Sequence, residues 1–139
     1  MPTQDELKAL ASLRLQEAET LYNAGQYNGS VYLAGYAVEL ALKARICKVL
    51  GLNEYPDQGK LKPVYAVHDL DQLLLLAGLK PELDSSNTTL FNNWSTAVPW
   101  NPLWRYAATG TYSQQDAIDM LDAIRDETDG VLQWIMKYW

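Results

Sequence analysis

The hydrophobic positions of the chain are densest between residues 27 and 50. From residue 31 to residue 50 almost every position is apolar or small, and the exceptions are Glu39, Lys43, Arg45 and Lys48. A helix that is apolar on most sides is one that other helices surround. Gly51 follows directly and is a typical helix stop. The pattern therefore predicts a central helix, Tyr27–Leu50, in an all-α fold.

A second amphipathic segment precedes the central helix. Thr3 and Glu6 have the spacing of a capping box, and apolar residues recur behind them at helical intervals to about Ala24. Gly25 ends this segment and leaves Gln26 as a very short connection. The two helices are therefore predicted to fold back on each other as an antiparallel hairpin.

Three features of the central helix predict how it packs. Ala34 and Gly35 have little side chain and should let a neighbouring element approach closely. Glu39 and Lys43 are four residues apart, with the acid on the N-terminal side, and are predicted to form a structural ion pair. Cys47 is the one cysteine of the chain and is predicted to be a small buried thiol.

The rest of the chain is less regular. Residues 52–67 contain proline and glycine without periodicity and predict a long loop between helices two and three. Three helical segments should follow: a leucine-rich one from about residue 70 to Gly78, one over residues 87–98 with Leu90, Phe91 and Trp94 inward, and a last one over residues 114–137. A short segment opened by Pro81 lies between the first two. The expected architecture is one all-helical domain, residues 1–139.

Composition narrows the functional classes. The chain has 139 residues, 48% of them hydrophobic, and a net charge of −6, which disfavours broad nonspecific binding to nucleic acid. No apolar run is long enough for a membrane span, and no signal peptide is evident, so a cytoplasmic protein without a membrane partner is expected. One cysteine and one histidine, His68, are too few for a zinc site, and neither a metal nor a cofactor is expected.

Several candidate residues have a structural and a functional interpretation. His68 is either a helix-start or packing residue or part of a site. The acidic residues of the last helix form either a solvated face or a docking strip for a basic partner: Asp119, Asp122, Asp126 and Asp129. The aromatic residues around Trp104 fill either the core or an interface. Arg105, in the stretch from Trp104 to Ser113, could clamp a phosphate or carboxylate because its planar fork matches those oxyanions.

Five motifs, in order, resemble the HEPN family (higher eukaryotes and prokaryotes nucleotide-binding). They are Ala18-Glu19-x-Leu21, Gly25-x-Tyr27, Ala37-Val38-Glu39-Leu40 with Lys43, His68-Asp69-Leu70, and Arg105-Tyr106 before the final helix. The resemblance extends over nearly the whole chain. It implies an up-down bundle of four or five helices that dimerises. It also implies that the protein is often a metal-independent ribonuclease toxin paired with a small nucleotidyltransferase.

The family site resembles Arg-x4-6-His, sometimes extended to Arg-x4-His-x-Tyr. Arg105 matches the arginine and Tyr112 the tyrosine, but Gly110 occupies the histidine position. RNA cleavage needs a general base, which an arginine does not supply at neutral pH.

The leading hypothesis is therefore a dimeric HEPN-type binding module of a toxin–antitoxin or defence system, without robust nuclease activity. Arg105, Tyr106, Trp104 and Tyr112 would contact RNA, a nucleotide or the partner, and Tyr112 could accept a nucleotidyl group. The alternative is a ribonuclease that uses Arg105 and a displaced base, His68. A third interpretation is a scaffold in which every aromatic residue has only a packing role.

Overall fold

The computed structural model describes residues 2–139, and these residues are predominantly helical with no strand among them. Eight α-helices occur in the described residues: α1 (Gln4–Asn23), α2 (Tyr27–Leu50), α3 (Lys62–Tyr65), α4 (Leu70–Leu76), α5 (Lys80–Asp84), α6 (Thr88–Ala97), α7 (Gln114–Arg125) and α8 (Val131–Met136). Two 3-10 helices, Gly59–Leu61 and Pro102–Tyr106, lie between them. The all-α prediction is confirmed, but the expected number of four or five helices is too low.

The predicted hairpin is confirmed at both ends. The Thr3–Glu6 capping box is formed, and Gly25 turns the chain at φ +76°. α2 ends at Leu50 because Gly51 adopts a left-handed conformation, φ +66°. At the start of α2 the hydroxyl of Ser30 donates to the main-chain oxygen of Ala18, 2.7 Å away, which joins the two helices where both are buried.

α2 is the centre of the molecule, as its composition predicts. It contacts α1, α4, α7, α8 and the second 3-10 helix. The indole of Trp100 lies against Gly35, where a side chain would collide with the ring, and its Nε1 donates to the main-chain oxygen of Tyr32 at 2.9 Å. The small residues of α2 therefore do admit a close neighbour, and that neighbour is Trp100. Cys47 is buried, as expected.

Two predictions about the C-terminal half are wrong. The last helix does not run from residue 114 to 137: it ends at Arg125, a turn follows, and α8 begins at Val131. Asp126 stabilises the turn, since its Oδ1 accepts from the main-chain N–H groups of Thr128 and Asp129, both at 2.8 Å. These bonds lower the pKa of Asp126, with that from Asp129 the stronger. Asp119, Asp122, Asp126 and Asp129 consequently do not form a strip on one helix.

The second wrong prediction concerns Phe91. Helical spacing predicted that its side chain lies inward, but the side chain is exposed. Its neighbours Leu90 and Trp94 are buried as predicted. The predicted loop of residues 52–67 also contains a helical stretch, formed by the first 3-10 helix and α3. No helix among residues 2–139 combines the length and apolar character that crossing a membrane requires.

Candidate functional site

The second 3-10 helix presents Arg105 to solvent. The side chain of Asn101 caps this helix by accepting from the N–H of Leu103 at 2.8 Å, and Pro102 lies in its first turn. The guanidinium carbon of Arg105 lies 4.9 Å from the ring centroid of Tyr106. Among the described residues, none of the salt bridges involves Arg105. Its positive charge is therefore available to a ligand.

Three aromatic rings form the floor beside Arg105. The rings of Tyr32 and Tyr36 on α2 lie 6.0 Å and 6.4 Å from that of Trp100, and 6.1 Å from each other. Hydrogen bonding with Tyr106, and then with Tyr32, raises the pKa of Arg105. The guanidinium thus lies close to the exposed phenol of Tyr106 and to Tyr32 of α2. We call Tyr32, Tyr36, Trp100, Arg105 and Tyr106 the arginine–tyrosine surface.

The loop after this surface is anchored to the hairpin. The Asn28 side chain donates to the main-chain oxygen of Ala108 at 2.9 Å and accepts from the N–H of Tyr112 at 3.0 Å. Gly110, between these anchors, has φ +78°, and a Cβ there would meet nothing within 4 Å. The position that would hold a histidine in the HEPN-like motif is therefore open but has a glycine conformation.

Tyr112 faces a different environment from Arg105. Its ring packs on Trp104, with centroids 5.2 Å apart, and both line a cleft of about 320 Å³ with Asp116 and Asp119 at its rim. Burial, followed by the charge of Asp116, raises the pKa of the Tyr112 phenol. Among the described residues no hydrogen bond joins Arg105 to Tyr112. The predicted site residues are consequently divided, with Arg105 and Tyr106 on one surface and Trp104 and Tyr112 in a cleft.

His68 belongs to a cluster that the sequence did not reveal. Its Nδ1 contacts Oε1 of Glu39, and Nζ of Lys43 lies 3.2 Å from the same oxygen. The Glu39–Lys43 pair is confirmed, yet Glu39 is only 1% exposed, and its Oε2 has no partner among the described residues. The four-residue spacing predicts an ion pair but not this burial. Among residues 2–139 no group of acidic, histidine or cysteine side chains is arranged to hold a metal ion.

The histidine cluster and the arginine–tyrosine surface share one face of α2. Tyr32, Tyr36, Glu39 and Lys43 follow each other at spacings of four, three and four, which places them on one side of a helix. Tyr32 and Glu39 are seven residues apart, or about 10 Å along the axis. His68 contacts this face of α2 at Glu39, and Arg105 lies close to it at Tyr32.

Comparison with known proteins locates the similarity in the first part of the chain. The family model described as HEPN domain matches residues 5–85. No curated protein and no solved structure matches the chain significantly. The match contains the hairpin, Glu39, Lys43 and His68, whereas Trp104, Arg105, Gly110 and Tyr112 lie beyond its end.

Proposed function

This chain belongs to the HEPN domain family, and from that premise we propose that it is a helical module that binds the phosphate of a nucleotide or of single-stranded RNA at Arg105. It would act as a homodimer with a small nucleotidyltransferase in a prokaryotic toxin–antitoxin or defence system. The resemblance of the motifs from Ala18 to Tyr112 supports the paired system.

The observation that carries the proposal is the exposed guanidinium of Arg105 beside exposed and half-buried tyrosine rings. Arg105 has no carboxylate partner among the described residues, and Tyr106 is 72% exposed. A guanidinium binds phosphate oxygens through two parallel hydrogen bonds, and aromatic faces stack on bases. The surface therefore offers both contacts that a nucleotide requires, although the whole chain is acidic.

The α6–α7 loop would bind without catalysing cleavage. Gly110 occupies the histidine position, and Arg105 retains its proton at neutral pH. Tyr112 is the proposed acceptor of a nucleotidyl group. Its phenol is neutral near pH 7, as an ordinary phenol is, and its raised pKa makes ionisation harder still. The partner enzyme would therefore have to supply the base that activates it.

Exposed apolar side chains support the homodimer. Leu13 on α1, Leu75 on α4 and Phe91 on α6 are 44%, 62% and 45% exposed, respectively. Such residues are frequent at interfaces between copies of one chain. Analytical ultracentrifugation at micromolar concentration should give twice the mass of one chain, and a monomer at all concentrations would contradict this part of the proposal.

Binding can be measured by fluorescence anisotropy with a labelled single-stranded oligoribonucleotide and, in competition, with ATP. Arg105→Ala should weaken binding about tenfold or more, because a charged hydrogen bond contributes about 1.5–3 kcal/mol. Arg125→Ala is the matched control: it removes the same charge from α7, where Arg125 is paired with Asp122 at 3.1 Å. Equal affinities for wild type and Arg105→Ala would overturn the proposal.

A further inference from the structure

We propose that the cleft beside Tyr112 binds the ammonium end of a linear aliphatic amine, as found in a free polyamine or in a lysine side chain of a partner protein. Trp104, Tyr112, Asp116 and Asp119 line this cleft, whose volume is about 320 Å³. We call it the aromatic–acidic cleft. The inference goes beyond the proposed function, because it concerns a positively charged ligand and a different surface from that of Arg105.

Two half-buried aromatic rings line the aromatic–acidic cleft. The ring centroids of Trp104 and Tyr112 are 5.2 Å apart, and the ring planes are inclined by 40°. The electron-rich faces of such rings attract a cation within about 6 Å, and indole attracts it most strongly. Aromatic rings also offer apolar surface to the methylene groups of a long amine. The rings therefore suit a ligand that combines a positive charge with an alkyl chain.

Two core residues also line the cleft. Val31 of α2 and Met120 of α7 are buried, and both contribute to its apolar lining. An alkyl chain in the cleft would cover this lining, which is favourable because it removes apolar surface from water. A small inorganic cation that keeps its hydration waters gains nothing from such a lining. The apolar part of the cleft therefore favours an aliphatic amine over an inorganic cation.

Two carboxylates at the rim have no cationic partner. Asp116 and Asp119 are three residues apart on one side of α7, and among the described residues neither takes part in a salt bridge. Asp116 accepts from the main-chain N–H of Ser113 at 2.9 Å, and Asp119 accepts from the side-chain amide of Gln115 at 2.7 Å. Both donors are neutral, so the two negative charges are available to a bound cation.

Two hydroxyl groups in the lining also present acceptors. The hydroxyl of Thr96 donates to the main-chain oxygen of Asn92 at 3.2 Å, and that of Thr111 donates to the main-chain oxygen of Ala108. A hydroxyl whose proton is engaged offers a ligand only its lone pairs. The two threonines and the two carboxylates therefore all present acceptors. An ammonium group, which has three N–H donors and no acceptor, is their complement.

Hydrogen bonds fix the sides of the cleft before a ligand binds. Trp104 lies on the 3-10 helix that the side chain of Asn101 caps. Tyr112 is held through its N–H, which donates to the side chain of Asn28 at 3.0 Å. The capping box of Ser113 fixes the first turn of α7, which carries the first carboxylate. Little ordering is required on binding, and its entropic cost is correspondingly low.

The size of the cleft restricts the ligand to a narrow molecule. Pockets for small molecules usually enclose about 300–1,000 Å³, so the aromatic–acidic cleft, at about 320 Å³, is among the smaller ones. A single linear chain with a terminal ammonium group meets this limit. A polyamine and a lysine side chain both contain such a chain, and titration distinguishes them.

Isothermal titration calorimetry of the wild-type protein tests the ligand class. We expect one site per chain for the diamine cadaverine or for N-acetyl-lysine N-methylamide, and no binding of n-pentanol, which has the alkyl chain without the charge. Tighter binding of cadaverine would identify the ligand as a free polyamine, and tighter binding of the lysine derivative would identify it as a side chain of a partner. The inference is overturned if neither amine binds or if n-pentanol binds equally well. The titration contains no RNA, so its result is independent of the proposed function.

Asp119→Asn tests the charge at the rim, with Asp122→Asn as its matched control. Asp122 is three residues further along α7 and pairs with Arg125 at 3.1 Å, but it does not line the cleft. Asp119→Asn should weaken binding of the tighter amine about threefold or more, because it removes one of two carboxylate charges. Asp122→Asn should bind within about twofold of wild type. Equal losses in the two variants would show only a general attraction to an acidic surface and would overturn the inference.

Trp104→Leu and Trp104→Phe test the aromatic ring. Leucine keeps an apolar side chain without a ring, so the affinity for the tighter amine should fall about fivefold or more. Phenylalanine attracts cations less strongly than indole and should give an intermediate affinity. Wild-type affinity in both variants would overturn the inference. Circular dichroism checks that these variants fold; if they do not, Asp119→Asn and its control still decide the question, because both change exposed side chains.

Discussion

Most residues of α2 are buried, whereas in residues 99–113 only Trp100 is buried and Arg105, Tyr106 and Leu103 are exposed. The hairpin consists of two regular helices joined by a short turn. Residues 99–113 instead contain a 3-10 helix followed by a loop. The family match covers the hairpin and ends before the loop. The hairpin therefore supplies the family fold and the floor of the surface, and the loop supplies exposed groups whose chemistry must be inferred from the residues themselves.

The two regions meet where Trp100 lies against Gly35, and breaking that contact should have the largest effect. A Cβ on Gly35 would collide with the indole, so Gly35→Ala should lower the free energy of unfolding by about 1–3 kcal/mol. Gly29→Ala is the matched control in the same helix. Its Cβ would lie 3.0 Å from Cδ1 of Leu21, the end of a flexible side chain, and alanine favours the helix by about 1 kcal/mol. Urea denaturation giving equal midpoints for both variants would contradict the prediction.

Substitutions at Gly110 test the loop in a different way from those at Gly35. At Gly110 a side chain is disfavoured by the backbone angle and not by lack of space. Gly110→Ala should cost about 1–2 kcal/mol, since the left-handed region is unfavourable for a residue with a Cβ. Gly110→Asn should cost less, because asparagine tolerates this region better than alanine does. Denaturant melts of the three proteins test this order. If alanine were as stable as glycine here, the loop would have to change conformation freely, and Asn28 would not anchor it.

The smallest effect on stability is expected for a substitution at Tyr55, in the segment between the two regions. That effect should change at alkaline pH. Tyr55 is buried, and burial raises the pKa of its phenol well above its ordinary value. The folded state therefore favours the protonated phenol, and this stabilisation is complete below about pH 10 and lost as the pH rises above it. Tyr55→Phe should lower stability at pH 8 by about 1 kcal/mol through the lost hydrogen bond to Tyr65. The difference should shrink at pH 11; an identical difference at both pH values would count against the assignment.

Sequence patterns were sufficient for the hairpin because its signals are local. The capping box at Thr3, the glycine stops at Gly25 and Gly51, and the apolar run between them depend on neighbours a few residues away. The break after Arg125 was not predictable from the apolar stripe, because that stripe continues in register into α8. It depends on Asp126, whose side chain caps the N–H groups of a turn, and the spacing of acidic residues conceals this role.

The candidate site was only partly predictable for the same reason. Arg105 and His68 were identified by residue type, but their surroundings arise from contacts between residues distant in the sequence. The pairing of His68 with Glu39 spans 29 residues, and the anchoring of Tyr112 by Asn28 spans 84. A helical pattern places Glu39 beside Lys43 but does not show that the link before α4 brings His68 onto the carboxylate. Burial of that kind is a property of the assembled fold.

The turn between α7 and α8 has a consequence for the order of folding. It directs the chain back so that Arg45 and Lys48 of α2 donate to the main-chain oxygens of Tyr138 and Trp139, at 3.0 Å and 2.6 Å, across 93 and 91 residues. Contacts of such long sequence separation have a high entropic cost and form slowly, whereas the hairpin is closed by local contacts. On the ribosome, α1 and α2 can therefore pair well before Trp139 is synthesised. Until Trp139 arrives, the C-terminal end of α2 remains without its final cover.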